Sequence, residues 1–297
     1  MSFHAFRDYA SGMNPVVLHV ASGNAFFTGL GLTVAAVILR FWLGGRVLIS
    51  LLTVGWLVGI SLVILSATPI SWWLYGLWFV LCIVVRVAFV AKIAASPKAS
   101  AVTAFAILSL YLCLAELPYR RVQPVTVFAH QPVYVLGDSI SAGIFDGERP
   151  WPKILGDISQ LRVNNLSRAG ATIETALDQA GQVNATNALV IVEIGGNDLL
   201  GRTAPRTFYA QLDALLRKLK NGNHRIVMFE LPLLPFWNAY GADQRALAEK
   251  YEVALIPKSY LAGVLGAKGA TVDGLHLSPQ GHEMLARAVF NVMRIEK

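Results

Sequence analysis

Cysteine is nearly missing from this chain. The two that occur, Cys82 and Cys113, lie inside long apolar runs. They have no metal-ligand spacing and cannot staple an outer domain, so they read as small buried hydrophobes. Charge is scarce too: Asp, Glu, Lys and Arg make up 14% against 55% hydrophobic residues, with a mean hydropathy of +0.53. That balance excludes an ordinary soluble domain spread over the whole chain. A phosphate-cradling glycine loop, a dinucleotide fingerprint and a metal-ligand cluster are also absent from the sequence, so no cofactor and no metal are expected. His4, His19, His130 and His224 stand in no constellation, and there is no internal repeat or low-complexity tract.

What charge there is divides unevenly. Residues 1–121 hold eight Lys or Arg and two Asp or Glu, a net +6; residues 122–297 hold seventeen and sixteen, a net +1. The pI of about 9.5 thus belongs to the apolar half. It points to membrane topology rather than to a nucleic-acid surface.

A helix needs about 20 apolar residues to cross a bilayer. Val47–Ala67 supplies 21 without a charge. Ile70–Ala91 is similar, with Arg86 near enough to one end to snorkel. Ala99–Ala115 is shorter and stops before Glu116; Val16–Leu39 is diluted by His19, Ser22, Gly23 and Asn24. About four transmembrane helices are expected, or three if Val16–Leu39 does not cross. Gly44-Gly45 and Thr68-Pro69 mark turns between antiparallel helices. The apolar region starts too late, with too many spans behind it, for a cleavable signal peptide.

Basic residues near span ends set the expected orientation. Arg40 and Arg46 flank one turn, and Arg86, Lys92 and Lys98 flank another; both should face the cytoplasm. The 67–70 turn carries no charge and should face out. The chain then emerges after Glu116 on the outer side, with Arg120 and Arg121 as the opposing signal. The expectation is an integral protein of a bacterial inner membrane, its C-terminal module on the periplasmic face.

After a linker at 122–132, containing Pro124 and Pro132, the pattern changes. Val133–Leu136, Arg162–Asn165, Ala188–Glu193, Ile226–Phe229 and Val253–Ile256 are short apolar runs suited to parallel strands. Trp151–Ser159, Ile173–Gln179, Arg206–Lys220, Asp243–Tyr251 and Gln280–Arg294 read as helices. In the last, Met284, Leu285, Ala288, Val289 and Val292 recur at helical spacing and should face the sheet. Residues 133–297 therefore predict one doubly wound α/β domain with a five-stranded parallel sheet. In such sheets the ligand crevice lies at the carboxyl ends of the strands.

Four polar clusters fall at that edge. Gly137-Asp138-Ser139 follows the first strand; Gly137 permits a tight turn from which the Ser139 hydroxyl can project as a nucleophile. Taken alone, the cluster reads as a helix cap. Asp273 and His276, three apart before the final helix, let a carboxylate hold one ring nitrogen while the other faces Ser139. The same stretch also reads as a plain turn, with Ser278-Pro279 starting the helix. Asn197 and the Gly170 N–H are candidate oxyanion donors alongside the Ser139 N–H, although Gly195-Gly196-Asn197-Asp198 alone is an ordinary turn. Glu193 ends a strand beside the site and reads mainly as packing. Asp198 braces its loop, and His282 is structural. The apolar segment Leu231–Tyr240 has two readings: an acyl-binding lip using Phe236, Trp237 and Tyr240, or packing onto the membrane half.

Together, Gly137-Asp138-Ser139-Ile140-Ser141, Gly170, Gly195-Gly196-Asn197-Asp198 and Asp273-Gly274-Leu275-His276 resemble the four blocks of the SGNH (GDSL-type) hydrolase superfamily. Val192-Glu193-Ile194 before the third block and Trp151-Pro152 after the first are similar to its thioesterase/lysophospholipase/arylesterase branch. The resemblance covers roughly residues 133–294; Ile140 stands where the family name has leucine. It implies a flavodoxin-like, three-layer αβα fold. It also implies Ser139 as nucleophile, Asp273 and His276 as the rest of a triad, and Ser139, Gly170 and Asn197 as the oxyanion hole. The expected activity is hydrolysis of acyl esters or thioesters, on a lipid or an acylated glycan. The alternatives are an acetyl esterase or acyltransferase of an envelope polysaccharide, and a non-catalytic membrane scaffold. Four spans exceed what an anchor needs, which leaves room for a membrane protein partner.

Overall fold

A computed structural model describes residues 14–296 except 92 and 123; His4, Lys92 and Gln123 lie outside the described residues. The described residues divide into two compact units: His19–Arg120 with Leu233–Asn238, and Arg121–Pro232 with 239–296, to which residues 14–18 also belong. Two segments therefore depart from the single division expected near Arg121. Leu18 belongs with the α/β unit, where its side chain fills the space a Cβ on Gly266 would need. Asn238 belongs with the helices, where its Nδ2 donates to Thr68 O at 2.8 Å.

The first helix, α1 (Pro15–Ala21), belongs to the helical unit only from His19, and α2 (Asn24–Trp42) follows it. The single segment expected over Val16–Leu39 is thus broken, at the polar residues that dilute it: Gly23 takes a left-handed φ of 78°. Helices α3 (Arg46–Leu65), α4 (Trp72–Val90) and α5 (Ala95–Glu116) follow, with a 3-10 turn at Leu117–Arg120. Among the described residues, four helices are long and apolar enough to cross a membrane: α2, α3, α4 and α5 with its 3-10 extension. Their outward faces carry large apolar side chains, Val47 at 76% exposure and Leu51 at 63% among them. Inside, Trp78 donates to Ser109 Oγ at 3.0 Å and ties α4 to α5. The Arg120 guanidinium donates to the carbonyl of Ser22 and to Asn24, at the break before α2.

Gly29 and Gly59 set the approach of α2 to α3. A Cβ on Gly29 would lie 2.6 Å from Gly59 O, and one on Gly59 2.7 Å from Gly29 O. The backbones touch there because neither residue has a side chain, as is common between helices in lipid.

The second unit begins with β1 (Val125–Phe128), inside the segment read as a linker. Its partner is β7 (Met293–Glu296), in parallel register from Val125↔Met293 to Phe128↔Glu296. Neither strand was expected, because each is four residues long and depends on the other. β2 (Val133–Gly137), β3 (Val163–Asn165), β4 (Leu189–Glu193), β5 (Arg225–Phe229) and β6 (Ala254–Ile256) form a parallel sheet in the order β3-β2-β4-β5-β6. Every residue of β2 and β4 is buried, as central strands covered on both faces must be.

Between the strands run the short α6 (Ser139–Ala142) and α7 (Trp151–Ser159), then α8 (Ile173–Ala180), α9 (Gly196–Leu200) and α10 (Pro205–Asn221). Three more follow: α11 (Asn238–Lys250), α12 (Lys258–Gly266) and α13 (Pro279–Val292). α8 packs on α10, and both α7 and α12 pack on α13. This is the three-layer, doubly wound arrangement. α11 starts five residues earlier than expected, and α13 stops at Val292, where the backbone of Met293 turns extended. Within α13, Leu285, Ala286, Val289 and Val292 are buried, while Met284 and Ala288 are only half-buried.

The strand order reverses between β2 and β4, since β3 lies on one side of β2 and all later strands on the other. Such a switch point opens a crevice at the carboxyl ends of the two strands. Gly137 and Glu193 are paired at that end.

Gly59→Val should force α2 and α3 apart, at about 1–3 kcal/mol for an overpacked contact. Gly55→Val on the same helix meets open space and should be neutral. Thermal unfolding of the detergent-solubilised protein separates the two; equal shifts would refute the close contact.

Candidate active site

The turn after β2 is tightly specified. A Cβ on Gly137 would sit 2.8 Å from Glu193 O and from both Ser141 Cβ and Oγ, so only glycine fits. The Gln179 side chain accepts from Gly137 N and donates to Gly137 O, both at 3.0 Å. Asp138 caps α6, its Oδ1 accepting from Ile140 N at 2.9 Å. Ser139 is the first residue of that helix and half-buried. Both readings of this cluster are therefore present at once: a cap, and a serine projecting from a strand end.

Three backbone or amide donors meet here. Neither the Ser139 N–H nor the Gly170 N–H donates to a described residue. Gly170 has a φ of 75°, a left-handed turn that suits glycine. Asn197 Nδ2 donates to Ala171 O at 2.9 Å and approaches Asp138 Oδ2 at 3.4 Å. Its amide thus ties the residue after Gly170 to the residue before Ser139. Asp198 holds the arrangement from behind, Oδ2 accepting from Ile173 N at 3.0 Å; burial raises its pKa.

The loop before α13 positions the imidazole. Asp273 Oδ1 accepts from Leu275 N at 2.9 Å and His276 N at 2.8 Å, and Oδ2 lies 2.6 Å from His276 Nδ1. Partial burial pushes the Asp273 pKa up, but these bonds outweigh it and hold the carboxyl at about 2. Ser278 caps α13, accepting from Gly281 N at 3.1 Å. No hydrogen bond joins His276 to Ser139. Their neighbourhood is shared through Asp138, whose carboxyl feels the His276 charge.

A buried acid pair lies beside Ser139. Asp138 and Glu193 are 3% and 1% exposed, and their side chains are hydrogen-bonded. Burial raises Asp138 to about 6, against the pull of Ile140 N–H and His276. Burial, then the neighbouring Asp138, raises Glu193 further. Both shifts favour the neutral carboxyl, that of Glu193 the more strongly. Trp151 Nε1 donates to Ser141 Oγ at 3.0 Å, and Ser141 Oγ donates to Glu193 Oε2 at 2.8 Å. A carboxylate closing the otherwise apolar run Leu189–Val192 was the available signal. His282, also buried, accepts from Trp151 N through Nδ1 at 3.2 Å and faces Glu148 at 3.1 Å.

The residues read as a lip separate. Tyr240 packs edge-on to Phe208, centroids 5.1 Å apart, and its hydroxyl donates to Thr203 O at 2.7 Å. Phe236 is 73% exposed and, with Asn238, lines an apolar groove of about 570 Å³ whose other walls include Ile70, Trp72 and Phe79. Trp237 is half-buried.

With this geometry in place, a sequence profile of the GDSL-like Lipase/Acylhydrolase family matches residues 135–284. The chain belongs to that family. This GDSL-like hydrolase is 28% identical to an arylesterase of Vibrio mimicus over 174 residues, 54% of this chain and 87% of the relative. Over 162 residues it is 30% identical to Esterase TesA of Pseudomonas aeruginosa, 50% and 80% of the two chains. It is 27% identical over 186 residues to a thioesterase 1/protease 1/lysophospholipase L1 of Escherichia coli, covering 59% and 86%. A crystal structure of TesA aligns with a TM-score of 0.49 at 28% identity, covering 55% of this chain and 97% of that one. The GDSL-like profile begins at Val135, after the four long apolar helices. The enzyme is an ester-hydrolysing hydrolase of this family.

Two expectations follow for the acid pair. Glu193→Gln keeps a donor toward Asp138 and should stay near wild-type stability. Glu193→Ala leaves buried groups unpaired and should lose on the order of 2 kcal/mol or more. Because folding raises the Asp138 pKa, the stability it confers is complete below its ordinary 3.8 and lost as pH rises through about 6. Asp138→Asn should flatten that part of the melting-temperature profile, and an unchanged profile would refute the titration.

Proposed function

We propose that this hydrolase is a membrane-anchored serine esterase that cleaves acyl esters or thioesters. One observation carries the reading: Asp273 Oδ2 lies 2.6 Å from His276 Nδ1 and holds the ring as the base of a triad is held. Asp273 fixes Nδ1–H of the ring and leaves Nε2 as base toward the Ser139 hydroxyl. Ser139 Oγ attacks the carbonyl carbon as its proton passes to His276. The oxyanion is held by the N–H groups of Ser139 and Gly170 and by the Asn197 amide. Collapse expels the alcohol or thiol, which takes the proton from His276. Water, deprotonated by the same ring, then releases the acid and restores Ser139.

The buried acids support this chemistry from behind. A proton on Glu193 keeps two carboxyls from ionising together in a dry pocket. Asp138 stays fixed to Ile140 N–H and holds the first turn of α6 in place.

The four apolar helices, with valine and leucine outward, support anchoring in a bilayer. Arg40, Arg46, Arg86 and Lys98 share one helix-end level, which supports a cytoplasmic placement of that end and an outer placement of the catalytic unit. Arg120, the opposing signal, has a structural partner at Ser22 and Asn24. An anchored site, and relatives named arylesterase, thioesterase and lysophospholipase, favour acyl esters of lipids. Phe236 and Trp237 would then meet the acyl chain.

A fluorophosphonate probe should label wild type and not Ser139→Ala. Asn197→Ala should lower kcat about 10²–10³-fold and Asp273→Asn about 10⁴-fold. Folded wild type that resists the probe would overturn the serine mechanism, and acetyl-only activity across an ester panel would move the substrate to an acetylated envelope glycan. Phe236→Ala with Trp237→Ala should alter chain-length preference more than short-ester turnover. Equal loss on both would remove the lip.

A further inference from the structure

Four cations gather at one end of the helical unit. Arg40 lies in the last turn of α2, Arg46 opens α3, Arg86 lies one turn before the end of α4, and Lys98 stands in the first turn of α5. None of them has an ion-pair partner among the described residues. The one carboxylate among the described residues of this unit is Glu116, 18 residues beyond Lys98 on α5. At 1.5 Å of rise per residue it is about 27 Å away.

The cations are nevertheless held close together. Arg40 and Lys98 both stand over the Phe89 ring, 5.2 and 5.5 Å from its centroid. The Arg40 Nε is buried without an acceptor. Arg40, Arg86 and Phe89 line a cleft between α2, α3 and α4. Its remaining wall is mostly apolar: Leu52, Trp56 and Val85 lie on it, all further from the helix ends than Arg40 and Arg86. Positive charge without a counter-ion, above an apolar wall, on helices with apolar outward faces, fits one kind of molecule. A free inorganic anion would satisfy the cations and leave the wall bare.

We infer that this cleft binds an anionic phospholipid, with its phosphate oxygens on Arg40 Nε, Arg86 and Lys98 and an acyl chain along Leu52, Trp56 and Val85. The inference rests on the reading of these helices as membrane spans. The site is separate from the catalytic residues, so it fixes a lipid as a structural ligand of the anchor and not as substrate.

The test uses the full chain, purified in mild detergent and offered phosphatidylglycerol or phosphatidylcholine before native mass spectrometry. Phosphatidylglycerol should be retained preferentially. Arg40→Gln with Arg86→Gln should cut its retention about tenfold or more, with hydrolysis of a short soluble ester unchanged. Should that variant not fold, salt decides: retention of phosphatidylglycerol by wild type should fall as ionic strength rises. Equal retention of the two lipids, or salt-insensitive retention, overturns the site. Full displacement of the lipid by millimolar inorganic phosphate would also overturn it, in favour of a free-anion site. Carbonate extraction of native membranes reports separately on spanning. Loss of lipid selectivity in a protein that resists extraction refutes the cleft and leaves the anchor standing.

Discussion

The catalytic unit depends on how closely the ends of β2 and β4 approach each other. Gly137 lies against the carbonyl of Glu193 with no room for a side chain, and this closeness has two effects. It places the first residue of α6 at the mouth of the crevice made where the strand order reverses. It also forces the carboxyls of Asp138 and Glu193 into one dry space, where burial pushes both toward the neutral form. A buried carboxyl pair is tolerable only when hydrogen-bonded, and here Ser141, Ile140 and Asn197 supply partners, with Trp151 bonded in turn to Ser141. Ser139 and the Asn197 amide are thus organised by one polar network.

The two units are built on different physical terms. In the α/β unit, strands with continuous apolar runs are covered on both faces by amphipathic helices. In the helical unit the apolar residues face outward, and packing relies on the glycine contact at Gly29 and Gly59 and on single polar ties such as Trp78 to Ser109. The first suits water and the second lipid. Their charge patterns differ accordingly: near balance in one, and unneutralised cations at a single helix end in the other.

Much of this was legible in the sequence because it followed periodicity or block chemistry. All five sheet strands and the helices α7, α8, α10, α11 and α13 were legible in apolar runs and their spacing, with errors of a few residues at the ends, whereas α6, α9 and α12 were not expected. The turn residues were visible as glycine and aspartate at strand ends. What escaped depended on partners distant in sequence. β1 and β7 are each too short to register alone. The Asp138–Glu193 pair joins residues 55 apart through sheet register, and a glutamate ending an apolar run says little until its neighbour is known. The break at Gly23 was present as dilution by polar residues, but dilution does not distinguish a kink from a weak span.

The β1–β7 ribbon has a consequence for biosynthesis. The strand that opens the α/β unit is paired along its whole length with the strand that closes it, and Val125 and Val127 belong to the main core. Until residue 296 has been synthesised, β1 lacks the strand that pairs with it and the ribbon cannot close. The nascent enzyme therefore passes through a stage with its four apolar helices already made and its hydrolase unit still open. That stage is where a chaperone would have most to do.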